Sequence, residues 1–339
     1  MKNLLIIFLL TTASVTNAQI FYNETKAEAA RSERERMLNR ERVKRNHIRE
    51  VKIYGFKSDT SAAGYIASEC MYDEQGNMTE AIDYNKHGKI RYRYTYAYDG
   101  KGRNVAFAEW KRNGKLRFRY VYVYDATGNE TETRNYYVPA IFGKKEKLGW
   151  RNSATFDGKQ NMLELKYFFS EDEKELFSRY SFTYYEDGSK KQTTEFDKKN
   201  KIRHKWNYDC NPAGTEAINL KDTSRICIRF ETDKDGNKIR VKEEIVHAGK
   251  VARIVSRFDK QDHLLDLVRY DSNGGARTHE SNTFDDKDNQ TSYTCYKRNS
   301  DEVKYRSVFR YDEAGNISEI VAYKSSALPD RVMKFHYGK

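Results

Sequence analysis

Proline is almost missing from this chain, with 3 residues among 339, at Pro139, Pro212 and Pro329. Few positions are therefore barred from a β-ladder for want of a backbone N–H. Cysteine is also scarce: Cys70, Cys210, Cys227 and Cys295 are the 4 present, too few for a disulfide scaffold, so core thiols or one accessory bridge are expected. No apolar run reaches the ~20 residues of a membrane-spanning helix. The 7 histidines are scattered, without an H-x-x-H or H-x-x-x-H pair, which argues against zinc. The turn "DKDGN" at 233–237 begins like a calcium loop, but that register puts Lys242 where the bidentate Glu belongs. No G-x-S-x-G, phosphate-binding loop or dinucleotide fingerprint occurs, so the chain reads as non-enzymatic, with no cofactor and no metal.

What is present is aromatic: 26 Tyr and 17 Phe, strand formers both. The N-terminus carries Lys2, an apolar run from Leu4 to Leu10 and then "TNAQ" at 16–19. That order predicts a cleavable signal peptide over 1–18 and a protein exported to a periplasm or secreted. Residues 19–52 predict a basic helix, with Thr25 and Glu28 at capping-box spacing and a ragged apolar stripe of Ala30, Met37, Ile48 and Val51. From Lys26 to Lys52 ten Lys/Arg face five Asp/Glu, so this helix is expected to stand in solvent or lie on a partner surface.

Residues 53–339 form a repeat domain. A turn recurs as "YDEQGN" at 72, "YDGKGRN" at 98, "YDATGN" at 124, "FDGKQN" at 156, "YEDGSK" at 185, "YDCNPAGT" at 208, "TDKDGN" at 232, "FDKQDH" at 258, "FDDKDN" at 284 and "YDEAGN" at 311. A second, lysine-rich turn falls midway, as in "NKHGK" at 85–89 and "KRNGK" at 111–115. Each unit of about 26 residues thus predicts two strands and two turns. In the first turn Asp is expected to cap N–H groups two or three residues ahead, and Gly and Asn to take the left-handed conformation.

The pattern "YxYDxxGN" resembles the YD repeats of the RHS family over about four fifths of the chain. The resemblance implies a spiralling β-shell on an exported protein linked to carbohydrate binding or toxin delivery. The chain lacks the family's "DPxG" core signature and a C-terminal toxin domain. The expected fold is therefore all-β: about ten hairpin repeats in a long twisted antiparallel meander, closing as a spiral, partial barrel or shell, preceded by the charged helix.

Strict alternation splits "RYRYTYAY" at 91–98 into a face of Tyr92, Tyr94, Tyr96 and Tyr98 and a face of Arg91, Arg93, Thr95 and Ala97. Counting back five from each turn aromatic gives Arg93, Arg119, Arg151, Arg203, Arg253 and Arg306. An acid stands thirteen residues after five of them, at Glu132, Glu164, Glu216, Asp266 and Glu319, which predicts a self-neutralising ladder of diagonal pairs. The midway turns carry Lys86, Lys89, Lys111, Arg112, Lys115, Lys198, Lys199, Lys201, Lys250, Lys297 and Arg298, so one rim of the sheet should be basic and, through the Asp turns, the other acidic. The basic helix is expected to join the basic rim. Arg93, Arg119, Arg203, Trp110, Lys111, Arg112, Lys115, Lys198 and Lys199 are the candidate ligand-binding residues. They suit an envelope or extracellular glycan, an anionic one included, with sugar rings stacked on exposed Tyr and Trp110. The alternative is a scaffold that encloses or docks a partner protein, while export disfavours nucleic acid despite a pI of about 9.2. Five N-x-[ST] sequons, at Asn23, Asn77, Asn129, Asn289 and Asn316, mostly coincide with the recurrent turn.

Overall fold

The computed structural model describes residues 26–57, 64–139, 145–169, 176–208, 223–246, 250–324 and 328–339. The expected leader, Asn23, Thr25, Cys210, Pro212 and Glu216 lie outside them. Helix α1 (Lys26–Arg45) precedes twenty-one strands. The first twelve are β1 (Glu50–Lys57), β2 (Tyr65–Tyr72), β3 (Met78–Tyr84), β4 (Ile90–Tyr98), β5 (Asn104–Lys111), β6 (Leu116–Tyr124), β7 (Glu130–Tyr137), β8 (Lys147–Phe156), β9 (Met162–Phe168), β10 (Leu176–Tyr184), β11 (Lys190–Asp197) and β12 (Ile202–Tyr208). The rest are β13 (Thr223–Thr232), β14 (Lys238–Val246), β15 (Lys250–Phe258), β16 (Leu264–Tyr270), β17 (Ala276–Phe284), β18 (Gln290–Tyr296), β19 (Val303–Tyr311), β20 (Ile317–Lys324) and β21 (Pro329–Gly338).

The fold is all-β, and the sheet closes. Neighbours in sequence pair in turn, and β1 pairs with both β2 and β21, from Glu50↔Gly338 to Lys57↔Arg331. The expected spiral or partial barrel is instead a complete ring, because β21 is the first strand of a repeat whose second strand, β1, comes from the other end of the chain. Among the described strands, closure leaves no bare edge. Every pair is antiparallel except β12–β13. A ring with an odd number of strands cannot alternate direction all the way round, so at least one parallel pair is obligatory. It falls at the repeat beginning with Tyr208, between β12 and β13, whose connection lies outside the described residues. Cys227, on β13, is disulfide-bonded, whereas Cys70 and Cys295 are free. Burial pushes the Cys70 thiol up to about 12, which makes it an inert core group.

Two devices explain the recurring turn. In the first, Asp73 Oδ1 accepts the N–H groups of Gln75 (2.9 Å) and Asn77 (2.8 Å), and its Oδ2 accepts the Asn77 side-chain amide at 2.9 Å. Asp157, Asp233 and Asp285 repeat all three bonds. These Asp residues therefore cap the N–H groups two and four ahead, while Asp125 takes those three and four ahead, of Gly128 (2.8 Å) and Asn129 (2.9 Å). Asn works through its side chain, while the left-handed corner belongs to the residue before it, as at Gly76 and Gly315 with φ 78° in both. Asn77, Asn289 and Asn316 are buried with these amides engaged, which occupies the nitrogen a glycan would need. In the second device the turn tyrosine ties its hairpin to the one before it. The hydroxyls of Tyr98, Tyr124, Tyr184, Tyr311 and Tyr337 donate to the backbone carbonyls of Met78, Asn104, Met162, Gln290 and Ile317.

The aromatic face turns inward. Tyr120 and Trp150 sit two strands apart, yet their ring centroids are 5.8 Å from each other, well under two strand spacings of about 9.6 Å, as only a concave face allows. Ile53, Cys70, Tyr96, Phe107, Tyr122, Phe309 and Ile320 form the main core, with Ala154, Leu165 and Phe182 in a second cluster.

Helix α1 ends at Arg45, not at residue 52, because residues 50–52 already belong to β1. It also packs on the acidic rim, not the basic one. Arg40 Nε donates to the Gln75 carbonyl (2.9 Å), Asn46 to Asn316 Oδ1 (2.8 Å), and Arg49 pairs with Glu74 at 3.2 Å. Val43 and Ile48 enter the core beneath, while Met37 of the expected stripe is exposed. A cationic helix meeting a rim of Asp turns and turn carbonyls is the complementary arrangement.

Candidate functional site

Strand alternation sends every described Asp turn to one rim and every lysine-rich turn to the other, so the two-rim expectation is met. On the basic rim Lys111, Arg112, Lys115, Lys198 and Lys199 are all exposed. Side chains at Lys250 lie outside the described set.

The outward face carries an ionic ladder, but not the diagonal one. Asp266 pairs with Arg257 and Glu319 with Arg310, because the turn plus one bulged residue sets each acid opposite the residue just before the turn aromatic. Where that position is not basic, the acid's own strand and the next hairpin each supply a cation. Glu132 meets Arg134 (2.8 Å) and Arg151 (3.6 Å), and Glu164 meets Lys166 (2.6 Å) and Arg179 (3.0 Å). Arg253 turns to Glu243 at 3.6 Å. Arg93 pairs with Glu80, and Trp110, opposite Arg93 on the outward face, donates its indole N–H to Thr95 at 3.0 Å. Arg119 is held by both oxygens of Glu146 (2.9 and 3.0 Å) and lies 4.7 Å from the Tyr136 ring. Arg93, Arg119 and Trp110 are thus neighbours on the outward face, each held by an intramolecular partner.

The inward face at the basic rim is different. Hairpins there contain a bulge: Asp83↔Tyr92 is followed by Tyr84↔Ile90, Glu109↔Phe118 by Trp110↔Leu116, and Glu195↔His204 by Phe196↔Ile202. The extra residue is Arg91, Arg117 or Arg203, and in two later hairpins Arg277 or Lys304. A bulge re-aims its side chain, and Arg91, Arg117 and Arg203 turn toward the inward-facing Tyr92, Glu109 and Glu195. Arg117 Nη1 meets Glu109 Oε1 at 2.5 Å and lies 5.6 Å from the Tyr92 ring and 5.8 Å from that of Phe118. Arg203 Nη1 meets Glu195 Oε1 at 3.5 Å. Burial raises the Asp83 carboxyl, and its hydrogen bond with Ser68 and the nearby charge of Arg91 pull it back. Strict alternation puts all three arginines on the outward face, so Arg91 and Arg117 escaped the candidate residues and Arg203 entered them on the wrong face. The signal was nonetheless in the sequence, as an acid followed eight residues later by Arg across the basic turn at 83/91, 109/117 and 195/203.

Between these cations lies a row of half-buried rings. Tyr92 and Tyr94 are 6.3 Å apart, Phe118 and Tyr120 are 5.5 Å apart, and Trp150 follows. Deeper toward the acidic rim, Tyr96 and Tyr122 are buried. One end of the aromatic face is core and the other is surface.

No family model matches the chain, and no curated protein does either. Among solved structures, a porin-like protein from Bacteroides uniformis aligns at 9% identity over 86% of this chain and 98% of that one, with a TM-score of 0.29. A porin-like protein from Bacteroides vulgatus aligns at 10% over 85% and 97%, at 0.26. The Photorhabdus luminescens Tc holotoxin pore aligns at 10% over 84% of this chain and 18% of that one, at 0.23. Similarities this low carry no argument about fold or role.

Proposed function

We propose that the chain is an exported, non-enzymatic protein of the envelope or extracellular space that binds carbohydrate at the open, basic mouth of its ring. The observation that carries this reading is the half-buried row Tyr92, Tyr94, Phe118, Tyr120 and Trp150, flanked by Asp83, Glu109 and Arg117. Flat apolar rings bordered by a few hydrogen-bonding groups suit the faces and hydroxyls of a sugar. Burial raises the hydroxyls of Tyr94 and Tyr120, so both are neutral donors and neither is a base. The outward face supports a water-filled surrounding, because Arg93, Arg134, Arg179, Arg257 and Arg310 stand where a membrane barrel needs an apolar band ~25 Å tall.

The ring's closure and one further feature favour a second reading, a scaffold that docks a partner protein. The rings of Phe169 and Phe177 meet at a tilt with centroids 4.6 Å apart on the basic rim and are largely exposed.

Binding of the purified protein to neutral and acidic polysaccharides at low and physiological salt, with Tyr94→Ala/Tyr120→Ala as comparison, tests the first reading. Loss of binding in the variant supports it. Absence of binding to every polysaccharide removes it in favour of the protein partner.

A further inference from the structure

We infer that the mouth selects acidic polysaccharides, those bearing a carboxylate on the sugar ring, and that the bulged arginines Arg117 and Arg203 read that carboxylate. The inference rests on the carbohydrate reading above and narrows it.

Three observations lead there. The first is how the guanidinium groups are engaged. On the outward face Arg119 and Arg134 each spend two N–H groups on one carboxylate. At the mouth Arg117 and Arg203 each meet their acid through a single nitrogen, and their side chains are 49% and 50% exposed. A planar fork held at one prong by Glu109 or Glu195 is oriented, and still able to take a second carboxylate on its outer edge.

The second is what lies beside them. Arg117 sits between the Tyr92 and Phe118 rings, so a carboxylate on its fork places the attached sugar ring over an aromatic face. A uronate carries those two features together, an apolar ring face and a carboxylate at its edge. Arg91 and Arg117 stand on strands two apart, about 10 Å along the sheet, the scale of two sugar rings joined end to end.

The third is the surrounding charge. Lys86, Lys89, Lys111, Arg112 and Lys115 stand exposed on the turns outside this row. They attract a polyanion without fixing it, which makes the association salt-dependent.

The test uses the full chain and polygalacturonate, the same polymer with its carboxylates fully methyl-esterified, and a neutral glucan. Polygalacturonate should bind, and esterification should weaken it about tenfold or more. The double variant Arg117→Gln/Arg203→Gln should lose about tenfold toward polygalacturonate, while the outward pair Arg119→Gln/Arg134→Gln changes it less than about twofold. If the esterified polymer or the glucan binds as tightly as polygalacturonate, or the outward variant loses as much as the inward one, carboxylate selection by these arginines is wrong and the carbohydrate reading stands. If none of the three polymers binds, both fall together. The ligand comparison needs no variant, so it decides even if a substitution disturbs folding.

Discussion

The hydroxyl of Tyr124 donates a hydrogen bond of 2.9 Å to the backbone carbonyl of Asn104, 20 residues earlier and at the start of the preceding hairpin's second strand. Its counterparts at Tyr98 and Tyr337 do the same. The ring Phe156, Phe258 and Phe284 place at the same point has no hydroxyl to give. Tyr124→Phe should therefore fold normally and lose about 1 kcal/mol, read as a lower urea midpoint with unchanged slope. An unaltered midpoint means the bond is no better than water's.

Gln160 occupies the left-handed corner of its turn at φ 62°, where most copies place glycine. Gln160→Gly should raise stability by about 1 kcal/mol, because a side chain pays a steric cost there that glycine does not. Gly76→Ala should act in the opposite sense. A Cβ at Gly76 meets the backbone carbonyl of Arg40, so α1 must lift. Earlier tryptic cleavage after the arginines of α1 is the readout.

Ile53 is fully buried on β1, with β21 on one side and β2 on the other. Ile53→Ala should cost about 2–5 kcal/mol, the range for emptying a well-packed core position. Thermal unfolding measures it. A loss well under that range means the seam is loosely packed.

Burial pushes the Glu130 carboxyl up to about 7 from an ordinary 4.5, with the Thr133 hydroxyl bond opposing the rise. A group that holds its proton more tightly when folded stabilises fully below its unfolded pKa, and that contribution disappears as pH climbs through the folded value. Folding stability from this residue should fall by about 2 kcal/mol between pH 4.5 and 7. Glu130→Gln should flatten that decline. Urea midpoints for both proteins at about pH 5 and about pH 8 compare the two.

The two-strand unit was legible because its signals are local: Tyr92, Tyr94, Tyr96 and Tyr98 alternate, and the Asp, Gly and Asn of each turn act within five residues. Both rims and the outward ionic face were legible for the same reason. Partner choice was not. Asp266 takes Arg257 instead of Arg253 because one bulged residue resets the register, and bulges leave no mark on a pattern of period two. The same slip hid the inward arginines, since Arg117 counts as outward until a residue is inserted beneath it. The helix's place was hidden by its charge, which suggested the rim of like sign instead of the rim that neutralises it. Closure depends on Val51 meeting Tyr337, and no neighbouring residues encode a meeting across the whole chain.

Because β1 precedes its partner β21 by the whole of the repeat array, the ring has no complete state until β21 has been made. Up to that moment the growing sheet offers two unpaired edges, and a chain stopped at any later repeat keeps them both. Such fragments should seek strands from one another, and their fate should be aggregation or degradation, not partial activity. The closing strand thus acts as a check on the repeat array: only a chain that has made β21 can retire from contact with its neighbours.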